Sequence, residues 1–483
     1  MSQTLVQKLF SLGRTKPDHL ALIIGDRHIT YGRLITEIWS VKSRLELQYD
    51  VTKEDSVMLF AEKNESFVFL YYALHLIGAK TIPLDNGISK DRISFIVNSM
   101  KPRFVIGINE KLEGVLNLDL NEFIDVSHTR IPSEVDYPHL NSIADVMFTS
   151  GTTGAPKGVL LTQKNIAQSA ENINDFIGNS IDDVELLALP MSHSFGLGRL
   201  RCVLSAGGTL VLHASSVNVK RLFRKIEEHA VTGFSMVPSS WKYLRKLSGD
   251  KIGQYRNQLK YIELGSAYLS PEDKFELAQL LPKTRLCMHY GLTEASRSAF
   301  LEFNGDRHSL HTVGRACKSV EIKIFDDSGS ELPSDCEGEI CIAGDHVAKS
   351  FVNVDDSQFF QGKYFRTGDI GILNRQGFLE FRGRTKDIVN VGGKKLSPQE
   401  IENKLIEWEP GIDAACVGII NQDSILGEEV KLFIVEGSTA KTFNDINKYL
   451  KDNLEDYKVP RHYEWIYELP RTSSGKIQRQ KLK

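Results

Sequence analysis

The chain has 483 residues, 41% of them apolar and 25% charged, with a formal net charge of −3. That length exceeds the size at which one core stops growing, so two or more domains are expected. The nearly balanced charge excludes a general attraction to nucleic acid or anionic membrane, so any bound anion must be met by local charge.

Six cysteines (Cys202, Cys287, Cys317, Cys336, Cys341, Cys416) form no CxxC pair, and 13 histidines form no HExxH. With no secretion signal in MSQTLVQKLF, they read as reduced thiols of a cytoplasmic protein without a zinc centre. The apolar run Phe67 to Ala79 contains His75 and falls short of the roughly 18 residues a bilayer span requires. It predicts a buried helix and no integral membrane segment.

Next along the chain comes TSGTTGAPKG, Thr149 to Gly158. Its glycines, hydroxyls and single lysine suit a phosphate cradle, because glycine lets backbone N–H groups approach an anion. A P-loop is excluded by spacing, since Gly151 leads to Pro156, Lys157 and Gly158 instead of Gly-Lys-Ser/Thr. A helix start at Thr162 places Ile166, Ala170, Ile173 and Ile177 on one face, so the loop is expected to join two extended segments. Taken alone, the decamer also reads as a surface turn.

Three short apolar runs then end in small or aromatic residues. ELLALPM leads into Ser192, His193 and Phe195, YIEL into Gly265, Ser266 and Ala267, and TRLCM into His289, Tyr290 and Gly291. Open α/β sheets bind ligands beyond the carboxyl ends of their strands, so these loops predict one shared crevice. Hairpins follow in IFDDSGSEL and ILNRQGFLEF, each with a polar glycine turn. Beyond Gly383 to Asp387 a smaller α+β unit begins. Its first helix is expected to carry Ser397 as N-cap, Pro398 in the first turn and Glu400 closing a capping box, with Ile401, Leu405 and Trp408 on one face. Strands DAACVGII and EVKLFIV and a helix from Phe443 to Leu454 complete it.

These segments occur in the order of the motifs of the adenylate-forming superfamily, which includes acyl-CoA synthetases, aryl-acid ligases, firefly luciferase and nonribosomal peptide adenylation domains. Besides the loop at Thr149, the chain shows PMSHSFGL, GSAYLS, YGLTE (Tyr290 to Glu294), VGR (Val313 to Arg315), YFRTGD ending at Asp369, GRTKD with Arg384, GGKKLSPQEIE from Gly392, and PRTSSGK ending at Lys476. The resemblance covers essentially the full length. It implies an α/β fold: a large multi-sheet N-terminal domain over residues 1–383, a hinge at 384–386, and a small mobile α+β C-terminal domain over 387–483.

The chemistry implied is attack of a carboxylate on the α-phosphate of ATP, release of pyrophosphate, and transfer of the acyl group from its adenylate to a thiol. Two anions must be brought together, so positive groups are required where they meet. The resemblance assigns Thr149, Ser150, Gly151, Thr152, Thr153, Gly154 and Lys157 to the β- and γ-phosphates, Thr293 to the α-phosphate and Glu294 to Mg²⁺. It assigns Tyr290 with the Gly265, Ser266 and Ala267 backbone to adenine, Gly291 to the ATP site, and Asp369 with Arg384 to the ribose. Lys476 would bridge carboxylate and α-phosphate, and Lys386 would be the hinge residue about which the small domain turns between half-reactions.

Where amino-acid-adenylating relatives carry FDxS, this chain has HSFGLG, which argues for a fatty, aryl or other simple carboxylic acid over an α-amino acid. His193 and Phe195 would lie at the acid-pocket wall, with Trp241 near it; alternatively Phe195 and Trp241 are core-packing residues. Arg199, one turn along a helix from Phe195, would reach the pocket and favour a second polar or anionic group; alternatively Arg199 and Arg201 are surface residues. Ser266 and Tyr268 depart from the common Gly-Gly-Ala-Pro, and Tyr268 adds bulk of unspecified direction. The acceptor would be coenzyme A, or alternatively the phosphopantetheine of a freestanding carrier protein. A non-catalytic relative is disfavoured because Lys476, Asp369, Arg384 and Glu294 are all present.

Overall fold

The structure is a computed structural model and describes residues 3–108, 112, 114–123, 129–149, 157–213, 218–348, 350–391, 394–420, 428–472 and 475–482. Among these residues the larger part of the chain is built on three sheets. In the nine-stranded sheet, Arg285–Tyr290, Tyr261–Leu264, Gly233–Met236, Val184–Leu187, Thr209–Leu212 and Leu20–Ile24 run parallel as neighbours, with antiparallel strands at both edges. The three apolar runs singled out in the sequence are thus parallel strands of one sheet, and their C-terminal loops open on one edge. Strands covered on both faces read as unbroken apolar runs, and all four residues of Tyr261–Leu264 are buried.

The seven-stranded sheet contains the hairpin Ile143–Thr149 and Lys157–Thr162, in which Thr149 pairs with Lys157 and Phe148 with Gly158. The expectation of two extended segments flanking the Ser/Thr/Gly loop is met. Helices Leu5–Thr15, Tyr31–Tyr49, Glu65–Ile77, Gln163–Ile177 and Ser194–Ala206 share one core with both sheets. Glu65–Ile77 is the apolar helix expected around Phe67, and it is buried on all sides. Gln163–Ile177 starts at Thr162, whose side chain accepts from Asn165 N in a capping box. The other face of the nine-stranded sheet is covered by Val219–Glu228, Pro238–Ser248 and Pro271–Leu280 over a second core. No helix among the described residues is long and apolar enough to cross a membrane.

The third sheet carries the expected hairpin Tyr364–Leu373 and Leu379–Arg384. A 3-10 turn, Thr385–Asp387, then leads to a smaller unit with its own core: the sheet Ala414–Ile420, Glu428–Val435 and His462–Ile466 under helices Pro398–Trp408 and Phe443–Asn453. Ser397 is the N-cap of its first helix, but the expected capping box does not form. The Ser397 hydroxyl is buried against Gly383, and Glu400 accepts instead from Lys458 Nζ at 2.7 Å.

Candidate active site

The crevice beyond the parallel strands collects residues from all three sheets and the small domain. Ser150, Gly151, Thr152, Thr153 and Gly154 lie outside the described residues, but both ends of their loop are defined. Thr149 Oγ1 donates to the Lys157 carbonyl at 3.4 Å, and Lys157 Nζ lies 4.5 Å from the centre of the Phe359 ring. Gly158 is required behind the lysine, since a Cβ there would come 2.7 Å from Val352 Cγ2.

Tyr290, at the end of its strand, donates through its hydroxyl to Asp369 Oδ2 at 2.7 Å. Asp369 faces Arg384 across the hairpin, with Oδ1 3.2 Å from Arg384 Nε. Among the described residues no donor is aligned on that buried Oδ1, which leaves it an acceptor for a ligand hydroxyl. Burial raises the Asp369 carboxyl, while Arg384, Tyr290, Lys476 and Lys386 pull it back down. Thr293 and Glu294 are half-buried on the loop that follows Gly291. That loop is tied down by Ala348, whose N–H donates to the Glu294 carbonyl at 2.8 Å. Burial raises the Glu294 carboxyl, and Arg384 and Lys476 oppose this.

Lys476 comes from the small domain, on a turn in which Thr472 Oγ1 accepts from Lys476 N at 3.1 Å and Arg471 donates to the Gly475 carbonyl at 2.9 Å. Gly475 holds φ 82°, a conformation glycine adopts without a Cβ penalty. The side chain remains accessible to solvent at the cleft mouth. Desolvation by the cleft walls and repulsion from Arg384 and Lys386 push its ammonium down, and Asp369 and Glu294 pull it up. Burial lowers the imidazoles of His193 and His289; Lys476 and Arg92 add to this against Asp85 at His193, and Arg297 and Lys476 add to it against Glu263 at His289. Lys476, Asp369, Glu294, Arg384 and His193, distant in sequence, therefore share one cleft.

On the acid side, His193 is the N-cap of the helix Ser194–Ala206, and Phe195 is buried beneath it. Arg199 does not reach the pocket and is not on the surface. It is fully buried, donates through Nε to Glu185 Oε1 at 2.9 Å and through Nη2 to Asn179 Oδ1 at 3.0 Å, and Tyr261 joins the same Glu185 at 2.6 Å. Arg201 is also corrected to a buried residue. It pairs with Asp145 and donates to the Tyr71 hydroxyl at 2.8 Å, while His75 lies 3.1 Å from the other Asp145 oxygen. A buried charge must be paired, and this helix meets two carboxylates from strands beneath it. Burial alone would raise the Asp145 carboxyl, but Arg201 and His75 hold it below its ordinary value. Trp241 is likewise corrected: it is fully buried in the core under Pro238–Ser248, on the far face of the nine-stranded sheet.

Ser266 adopts φ 73°, and the Tyr268 hydroxyl lies 3.5 Å from Glu407 of the small domain. Lys242 makes a second bridge, donating to the Pro410 carbonyl at 3.1 Å. Sequence reasoning placed His289 at the crevice but missed its partners Glu263 and Arg297, and the three form a buried cluster behind Gly265 and Phe195. His289 Nδ1 lies 2.7 Å and Arg297 Nε 2.8 Å from the same Glu263 oxygen. The available signal was Glu263 itself, a charge within the otherwise apolar strand YIEL.

Residues 10–352 match the family described as AMP-binding enzyme, and residues 400–476 match its C-terminal domain. A 2-succinylbenzoate–CoA ligase of Bacillus pumilus is 30% identical, covering 97% of this chain and 95% of that protein. An oxalate–CoA ligase of Arabidopsis thaliana is 28% identical over 99% and 98%. The solved o-succinylbenzoate CoA synthetase of Bacillus subtilis bound to its acyl-adenylate intermediate is 27% identical, with a TM-score of 0.89 over 100% of this chain and 98% of that one. The same synthetase with ATP and magnesium ion superposes with a TM-score of 0.88. The chain belongs to the AMP-binding, adenylate-forming enzymes, and it is an AMP-forming acid–thiol ligase that activates a carboxylic acid.

Proposed function

We propose that each step is carried by the residues gathered in the cleft. Adenine lies between Tyr290, Gly291 and the Gly265–Ala267 backbone. The ribose hydroxyls donate to Asp369, which Tyr290 and Arg384 hold in place. Thr149 to Gly154 and Lys157 cradle the β- and γ-phosphates, and Thr293 meets the α-phosphate. Among the described residues no three His, Cys, Asp or Glu side chains cluster as a metal site. Glu294, a lone carboxylate beside the phosphate path, fits Mg²⁺, which takes one or two carboxylates and completes its shell with phosphate oxygens and water. The ion would neutralise phosphate charge.

Lys476 then stands between the incoming carboxylate and the α-phosphate. Its positive charge lowers the repulsion between two anions as their bond forms, and being preorganised it costs no rearrangement at that moment. The observation that supports this reading best is the electrostatic coupling of Lys476 to Glu294 and Asp369 on one side and His193 on the other. We assign residues 1–383 to the nucleotide- and acid-binding domain and 387–483 to a lid. Turning about Lys386, between them, would withdraw Lys476 and admit the thiol. Coenzyme A is the acceptor we propose over a freestanding carrier protein, because the relatives are named as CoA ligases, and the cytoplasm is the proposed location. The test is to incubate the full chain with ATP, Mg²⁺, CoA and a panel of acids. Acid-dependent AMP with an acyl-CoA is expected; ADP formation, or no nucleotide turnover with any acid, would contradict the reading.

A further inference from the structure

We propose that the buried Glu263–His289–Arg297 cluster closes the acid pocket beneath Phe195, so that this ligase activates short-chain acids and excludes aryl and long alkyl ones. The inference rests on the ligase reading and on the pocket wall at His193 and Phe195. Lys476, where the carboxylate end would sit, is electrostatically coupled to His193 and His289. With the pocket wall taken at His193 and Phe195, an acyl chain running inward from that point meets the packed group Phe195, Gly265 and His289.

That space is filled. The His289 ring meets Phe195 edge-on, with centroids 4.6 Å apart. It also lies so close to Gly265 that a Cβ there would come 2.6 Å from Nδ1 and closer still to Cε1 and Nε2. Behind them the Arg297 guanidinium lies 4.8 Å from the centre of the Phe195 ring. It donates to the Phe195 carbonyl at 2.9 Å and the Ser194 carbonyl at 3.2 Å. Gly198 is the cut-out that admits it, since a Cβ there would come 3.2 Å from Arg297 Cζ and closer to Nη1. Arg297 keeps this place although its backbone holds φ 55°, a conformation non-glycine residues rarely adopt.

Polar anchoring makes the plug hard to move. Glu263 accepts from Arg297 Nε, stands against His289, and has its second oxygen 3.5 Å from Arg199 Nη1 and 3.4 Å from the Ser235 hydroxyl. Displacing Glu263 would leave Arg297 a buried charge without its carboxylate, and displacing Arg297 would strip Glu263 of its closest guanidinium. Within the cluster Arg199 and Arg297 are matched by Glu185 and Glu263, so neither guanidinium is left to recruit a second carboxylate. Selection therefore works by space. A misfit methylene in a packed apolar site typically costs tenfold or more in kcat/KM, roughly 10–200-fold.

The test is competition among acids on the full chain, with acyl-CoA products identified by mass spectrometry. Acetate, propionate and lactate are expected to exceed octanoate, benzoate and 2-succinylbenzoate by about a hundredfold or more in kcat/KM. Any of the larger acids matching or exceeding the short ones overturns the proposal and leaves the ligase reading intact. Turnover of none of them overturns both. The double variant Glu263→Ala/Arg297→Ala removes one charge of each sign. Folded, it should raise the benzoate-to-propionate ratio about tenfold or more while ATP KM moves less than about threefold; an unchanged ratio contradicts the proposal, and if the variant does not fold the wild-type ratio decides.

Discussion

Gly265→Ala places a methyl group against the His289 ring, with the new Cβ 2.6 Å from Nδ1 and nearer to other ring atoms. The imidazole has no free direction, because Phe195 blocks one side at 4.6 Å and Glu263 holds Nδ1 at 2.7 Å. Either the ring or the Gly265–Ala267 backbone must shift, and overpacking of this kind costs about 1–3 kcal/mol. If the backbone yields, the adenine-binding loop moves with it, and a loss of about 1.4 kcal/mol of nucleotide binding is tenfold in affinity. Steady-state kinetics with ATP varied should give an ATP KM raised about tenfold, with a lowered melting temperature. The double variant Gly265→Ala/His289→Ala vacates the clashing ring and should recover most of the ATP KM, a coupling expected of residues in direct contact. An ATP KM within about twofold of wild type in the single variant, or a double variant no better than the single, would refute the steric reasoning.

Lys386→Pro fixes φ in the turn between the domains; acid-dependent pyrophosphate exchange should persist while thioester formation falls tenfold or more, and equal loss of both half-reactions would contradict domain alternation. The Lys476 ammonium sits below the ordinary lysine value. Adenylation requires its charged form, so activity is expected to fall as pH rises through that depressed value; Lys476→Arg, charged throughout, should lose this alkaline limb whatever its residual rate, and an unchanged limb would argue against Lys476 as its source. Lys274 is buried, its ammonium donating to the Leu310 carbonyl at 2.6 Å, and desolvation pushes it down to about 7. Between that value and the ordinary 10.5 the unfolded chain binds the extra proton, so this residue makes stability rise with pH at up to about 1.4 kcal/mol per unit. The melting-temperature difference between wild type and Lys274→Met should accordingly grow in favour of wild type across that window, and a flat difference would dispose of the idea.

How far the sequence carried depends on the range of the interactions involved. The parallel strands and their shared crevice were legible because apolar runs ending in Gly, His or Tyr are local patterns. The helix from Thr162 was legible in the same way, through its cap and one-sided apolar face. Arg199 and Arg201 were not, because their burial depends on Glu185 and Asp145, carboxylates supplied by strands elsewhere in the chain. Ser397 showed the limit of local rules: an N-cap in position whose partner Glu400 is taken by Lys458, which only the tertiary fold brings near. Tyr268 departs from the family pattern, and its partner Glu407 belongs to the small domain, which no local pattern shows. Lys476 could be placed from sequence only through its motif, and a lysine near a chain end carries no local sign of the pocket it enters.

The most direct test of the two-domain active site is single-turnover AMP and pyrophosphate formation by Lys476→Ala beside wild type, with ATP binding measured on both. Loss of about a hundred- to a thousandfold in adenylation with ATP affinity nearly retained is the expected result, the size seen when one preorganised donor is removed. Adenylation at the wild-type rate would show that this lysine does not stand between the carboxylate and the α-phosphate.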